Sequence, residues 1–177
     1  AIVGMACRFP GGVRNVQEYW RFLMEGRDGV GEIPISRMDW REAYNPMKRT
    51  IATNRGGFMR GLSVFDNERF GISAAEAKVM DVSQRMSLEV AYEALSQCGE
   101  EVESELRRNI GVFVAQTPSF SGQSIREGLI SPFVVTGEAS SITSNRISYN
   151  FRLSGPSMTI DTGCSSSLVA LDTAFKA

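Results

Sequence analysis

The sequence predicts an α/β domain, and three observations carry the prediction. Short apolar runs bounded by turn residues occur at 1–7, 110–115 and 157–161, each of strand length. Segments of helical period, opened by capping residues, lie between them. Residues 161–171 pass from a strand through small residues directly into a helix.

The first run, Ala1 to Cys7, reads as a buried strand ended by the turn residues Pro10, Gly11 and Gly12. Asn15 then predicts a helix N-cap, with Glu18 at the third helical position. Val16, Trp20, Leu23 and Met24 share a face of that helix, and Gly26 closes it. Residues 41–63 are rich in polar residues, Gly and Arg, and read as a long surface connection. Ser73 with Glu76, and Asp81 with Gln84, each have the spacing of a capping box and predict a short and a longer helix. In the longer one Leu88, Ala91, Tyr92, Leu95 and Cys98 form the buried stripe, and Gly99 stops it. Glu100 to Glu105 with Arg107 and Arg108 reads as a solvated segment of mixed charge. Residues 110–115 and 157–161 are strands, with a helix around Ala139 to Tyr149 between them.

The 177 residues are 42% apolar and 22% charged, which suits one globular domain. A chain of this size buries about 70% of its unfolded surface and needs no disulfide or metal to fold. With 19 Lys and Arg against 20 Asp and Glu, scattered along the chain, there is no basic patch for nucleic acid. No run approaches the roughly 18 to 20 apolar residues of a membrane span, and no secretory leader is visible, so a soluble, cytoplasmic protein is expected. Cys7, Cys98 and Cys164 are odd in number and far apart, which argues for reduced thiols. There is no histidine at all, which removes Ser-His and Cys-His dyads and His-based metal sites from these residues alone. Cys-x-x-Cys, Walker and Gly-x-Gly-x-x-Gly motifs are also missing, so no metal or cofactor site is predicted.

Cys164 lies at the strand-to-helix junction among Gly163 and Ser165 to Ser167. Pattern alone leaves two readings open: a small buried hydrophobe at a strand end, or the nucleophile of an elbow. The second has a physical basis, because small neighbours let a tight turn expose the thiol. The amides of a helix N-terminus also stabilise negative charge there. Cys7 and Cys98 sit in apolar surroundings and read as structural. Leu168, Val169, Ala170, Leu171, Ala174 and Phe175 leave the last helix little polar face, so it is expected to be buried. The end of this helix at residue 177 and the abrupt start of the first strand at residue 1 lead to the expectation of a fragment cut at both ends, whose missing partner covers this helix and, if Cys164 is catalytic, brings the base and hydrogen-bond donors.

Three stretches, AIVGMACRFPGG (1–12), FDNERFGISAAEAKVMDVSQRMSLEVAYEAL (65–95) and TGEASSITSNRISYNFRLSGPSMTIDTGCSSSLVAL (136–171), stand in the order and spacing of a known family. The chain resembles the N-terminal half of a β-ketoacyl synthase domain of polyketide synthase type. The resemblance implies a thiolase-like fold, in which two βαβαβαββ halves pack as an αβαβα sandwich, usually in a homodimer. Residues 1–177 would be the partial N-terminal domain. The family's nucleophile falls on Cys164, which would take an acyl group from the phosphopantetheine of an acyl carrier protein and hold it as a thioester. Its backbone amide would be an oxyanion donor. Decarboxylation of a malonyl unit on the carrier would then give an enolate that attacks the thioester. Two histidines and a lysine from the second half support those steps in the family.

Ser165 to Ser167 are expected to aid the turn and cap the helix, without a catalytic part. The family places the strand 157–161 near its dimer interface. Two departures stand out: Gly163 replaces the usual alanine and adds backbone freedom to the elbow, and Val82 and Ser83 replace proline and glutamine after Asp81. Two further functional readings accompany the first. One is a ketosynthase-like partner or dimerisation module without catalysis, and the other a cysteine acyltransferase or hydrolase with a base from another chain.

Overall fold

A computed structural model of the chain describes residues 1–43, 53–98, 109–117 and 131–177. By its contacts it divides into two compact units, one of Met5–Leu62 and one of Ala1–Gly4 together with Ser63–Ala177. Composition bounds the amount of core, not how contacts partition along the chain.

In the unit Met5–Leu62 the predicted first helix, α1, spans Val16–Met24. Asn15 accepts a hydrogen bond from the Glu18 amide at 2.8 Å, and the Glu18 carboxylate accepts from the Arg14 amide at 2.7 Å. The end is a Schellman motif: Gly26, at φ +60°, donates to the Leu23 carbonyl, and Arg27 donates to that of Phe22. The apolar stripe exists but is uncovered, with Trp20, Leu23 and Met24 exposed. Replacing Asn15 by alanine removes one capped amide. It is expected to cost about 1 kcal/mol and to speed amide exchange in the first turn of α1 about fivefold.

Strands β1 (Val30–Glu32) and β2 (Arg55–Gly57) form an antiparallel pair, with Val30 opposite Gly57 and Glu32 opposite Arg55. Helix α2 spans Trp40–Ala43. The predicted surface connection 41–63 therefore contains a strand and the end of a helix, and its residues 44–52 lie outside the described residues. The strand escapes periodicity because Arg-Gly-Gly has no apolar alternation, and the backbone ladder holds it instead. Gly57 is required by packing, since a Cβ there would come 2.9 Å from Pro10 Cγ. Trp40 Nε1 donates to the Ile33 carbonyl at 2.9 Å. Beside α2, the Arg41 guanidinium hydrogen-bonds Asp39 and holds its carboxyl below the ordinary value.

In the larger unit, residues 1–4 do not form the predicted strand, nor do 5–8 in the neighbouring unit. Gly4 instead lies against the helix that contains Ala94, so closely that a Cβ would be 2.2 Å from the Ala94 carbonyl oxygen. Ile2 and Val3 remain exposed. Helix α3 spans Ala74–Val79 and α4 spans Val82–Leu95, each begun by the predicted cap. Ser73 accepts from the Glu76 amide and Asp81 from the Ser83 amide.

The reciprocal halves of both boxes are absent, because Glu76 and Gln84 are used elsewhere. Gln84 is 1% exposed and donates to the carbonyls of Thr136 and Ala139, and it accepts from Arg146 Nε at 2.9 Å. Arg146 in turn meets the Glu76 carboxylate at 2.6 Å. Leu88 is fully buried in a core with Ile72, Met80, Val112 and Ile147, edged by Phe65, Phe70 and Phe151. Cys98 is half-buried with its thiol toward the Ala94 carbonyl at 3.5 Å. Gly99 and the charged segment 100–108 lie outside the described residues.

Strands β3 (Val112–Ala115) and β4 (Ser157–Ile160) pair in parallel, from Val112 opposite Ser157 to Ala115 opposite Ile160. Between them come α5 (Val134–Glu138) and α6 (Ile142–Phe151), and after them α7 (Ser166–Lys176). Both α6 and α7 contact the strand pair. The α6 contact is polar and close: Thr159 Oγ1 donates to Ser144 Oγ at 3.0 Å, Ser148 Oγ donates to Ser157 Oγ at 3.1 Å, and Ser157 Oγ donates to Asn145 Oδ1 at 2.9 Å. No helix among the described residues is long and apolar enough to cross a membrane.

Candidate active site at the Cys164 turn

The parallel pair delivers the chain to a turn. Ile160 ends β4 with its carbonyl accepting from the Gln116 amide at 3.1 Å, so the end of β4 is registered on the end of β3. Gly163 follows at φ +65°, the left-handed region that a side chain makes costly. Asp161 Oδ1 accepts from the Gly163 amide at 3.0 Å, an Asx turn, and from Thr117 Oγ1 at 3.4 Å. Cys164 comes next and is exposed, while Cys7 and Cys98 are half-buried. The predicted elbow is thus present, and its left-handed residue is the glycine before the thiol.

Hydroxyls close the turn. Ser166, 6% exposed, accepts from the Thr162 amide at 2.8 Å and donates to the Gly163 carbonyl at 2.7 Å. Ser165 Oγ donates to the Thr162 carbonyl at 2.9 Å and lies 2.9 Å from Thr162 Oγ1. The expectation that these serines cap the helix through their side chains is therefore corrected. Ser165 stands at the N-cap position without a side-chain cap bond, because its hydroxyl is already turned back to the strand end. Ser167 is exposed. The freedom expected of Gly163 is likewise spent: it adopts the left-handed conformation and is hydrogen-bonded at both its amide and its carbonyl. Space around its Cα is open, so Gly163→Ala is expected to cost only the conformational term, about 1 kcal/mol. Its measure is the urea concentration at which the domain becomes protease-sensitive.

Asp161, Thr117 and Thr162 were not singled out by sequence reasoning. An Asp two residues before a Gly amide is a recognisable Asx-turn signal, whereas nothing local marks Thr117. Ser83, one of the departures, ties the start of α4 to the end of β3. Its amide and hydroxyl both donate to Asp81 Oδ1, and its oxygen accepts from Gln116 Nε2 at 2.8 Å. Helix α7, expected to be buried nearly all round, buries only Ser166 and Ala170, and Leu168, Leu171 and Phe175 are exposed. One side of the helix faces β3 and β4, and no described residue covers the other.

These features define the class: an α/β protein that carries an exposed thiol where a parallel strand turns into a helix. The whole chain, residues 1–177, matches the N-terminal domain of β-ketoacyl synthase, and it belongs to that family. Among its relatives is the polyketide synthase GfsB of Streptomyces halstedii, 39% identical over 183 residues, which cover 100% of this chain and 3% of that protein. The highly reducing polyketide synthase ltbA of Aspergillus luteorubrus is 43% identical over 182 residues, 97% of this chain and 6% of that protein.

Of solved structures, the oxazolomycin ketosynthase domain OzmH KS7 of Streptomyces albus JA3453 superposes with a TM-score of 0.87. It is 32% identical, with 99% of this chain and 32% of that chain covered. The ketosynthase from module 6 of the bacillaene synthase of Bacillus subtilis 168 gives a TM-score of 0.77 at 32% identity, covering 100% of this chain and 29% of that one. The fold is the N-terminal part of the thiolase-like fold, as the resemblance implied. The chain spans less than a third of the ketosynthase chains it matches.

Proposed function

We propose that these residues form the nucleophile-bearing part of a polyketide synthase ketosynthase and that Cys164 is its acyl-carrying residue. The observation that carries this reading is the exposed thiol on a turn held by hydrogen bonds at the Thr162 amide and at the Gly163 amide and carbonyl. In the first step the Cys164 sulfur attacks the thioester carbonyl of an acyl group on a carrier's phosphopantetheine. A sulfur–carbon bond forms through a tetrahedral oxyanion, and the pantetheine thiolate leaves and takes up a proton. In the second step a malonyl unit on the carrier loses carbon dioxide. The electron pair left as an enolate forms the new carbon–carbon bond to the acyl carbonyl, and the Cys164 thiolate departs.

In the family two histidines and a lysine of the second half support the second step; residues 1–177 contain no histidine, so this reading assigns the imidazole acid-base work to residues outside them. The partners of this reading are an acyl carrier protein, the C-terminal half of the ketosynthase domain and a second copy in a homodimer. Peptide mass spectrometry of the full-length protein after incubation with an acyl carrier protein tests it. The expected result is an acyl group on Cys164, followed by a β-ketoacyl product when malonyl carrier is added. Steady hydrolysis of the acyl donor would favour an acyltransferase or hydrolase, and no acyl group on Cys164 would leave a non-catalytic partner module.

A further inference from the structure

We infer that Ser166 is a positioning residue for the oxyanion donor: its buried hydroxyl fixes the direction of the Gly163–Cys164 peptide and so aims the Cys164 amide. The inference rests on the reading of Cys164 as nucleophile and adds a residue to it.

The geometry is specific. The Gly163 carbonyl accepts twice from one residue, from Ser166 Oγ at 2.7 Å and from the Ser166 amide at 3.1 Å. The peptide is trans, so its N–H points opposite to its C=O. A carbonyl held toward the first turn of α7 therefore sends the Cys164 N–H away from that turn, on the side away from Ser166. Among the described residues the Cys164 amide has no hydrogen-bond partner of normal geometry. Two donors on the carbonyl also polarise the peptide and strengthen its N–H as a donor.

The second bond of the same hydroxyl, accepted from the Thr162 amide at 2.8 Å, prevents Ser166 from rotating away. At the other side of the turn Asp161 holds the Gly163 amide, so the peptides on both sides of Gly163 are pinned. With its residue 6% exposed, the Ser166 hydroxyl is shielded from water that would compete for these bonds. Preorganised donors of this kind stabilise charge that develops only in the transition state.

Two reactions at the same sulfur separate this role from a structural one. Acylation by a hexanoyl N-acetylcysteamine thioester passes through a tetrahedral oxyanion, whereas alkylation by iodoacetamide displaces iodide and forms none. In the full-length protein Ser166→Ala is expected to slow acylation of Cys164 by roughly 10- to 100-fold while alkylation changes by less than about twofold. Ser166→Thr, which keeps the hydroxyl, is expected to recover most of the acylation rate. Equal slowing of both reactions, an unchanged acylation rate in Ser166→Ala, or no recovery with threonine overturns the inference. If the unsubstituted protein is alkylated but never acylated at Cys164, the reading of the nucleophile fails, and the role of Ser166 fails with it.

Discussion

Full-length protein carrying Cys164→Ala takes up no acyl group from a carrier-bound thioester: loading falls by roughly 10⁴-fold or more, to background. The expected loss is this large because on the proposed reading the thiol forms the covalent bond itself, and no described thiol is placed to replace it. Cys98 is half-buried with its sulfur against the Ala94 carbonyl, and Cys7 is also half-buried. Radiolabelled acyl transfer measures the effect, with Cys98→Ala as the companion that retains loading. Loading that survives Cys164→Ala would move the nucleophile outside this turn.

The second large effect is on stability. Arg146→Met removes the charge that Glu76 meets at 2.6 Å and the donor that Gln84 accepts at 2.9 Å. Arg146 is 8% exposed at its side chain and Glu76 23%, so water does little to compensate either partner. Breaking a fully buried pair from one side costs about 3 to 5 kcal/mol, and because Glu76 keeps some contact with water the lower end of that range is expected here. Pulse proteolysis in urea is expected to show the domain cleaved at a correspondingly lower denaturant concentration. Adding Glu76→Gln to Arg146→Met is expected to recover part of the loss, since no buried charge then stands alone. A double variant that falls by the sum of the two single changes would show that the pair contributes no more than its separate side chains.

What sequence could show followed the range of the interactions. The turn and its exposed thiol are legible in Gly163, Cys164 and the small residues after it because they are adjacent in sequence, whereas the Asp161 and Ser166 bonds that close it are not. The cap residues Asn15, Ser73 and Asp81 were legible for the same reason. Glu76 and Gln84 were misassigned because their partner Arg146 lies 70 and 62 residues away, and a buried long-range bond outcompetes a solvent-exposed capping bond. Strand β2 has no side-chain period to read. The segment Ala1 to Cys7 has the composition of a strand, but pairing rather than composition makes a strand. The burial expected of α7 depends on what covers Leu168, Leu171 and Phe175, and no described residue does.

The parallel pairing of β3 with β4 also orders events in time. The bond from Thr117 to Asp161 spans 44 residues, and the carbonyl of Ile160 meets the amide of Gln116 across the same interval. Neither forms until the intervening chain has been folded back, which pays its loop-closure entropy before any ladder bond rewards it. The local hydroxyl bonds of 162–166 can form early, but the turn reaches its final alignment only when that long crossover closes. A ribosome that has just released Cys164 has therefore made a thiol whose supporting frame is still incomplete, and the turn around it matures late in folding.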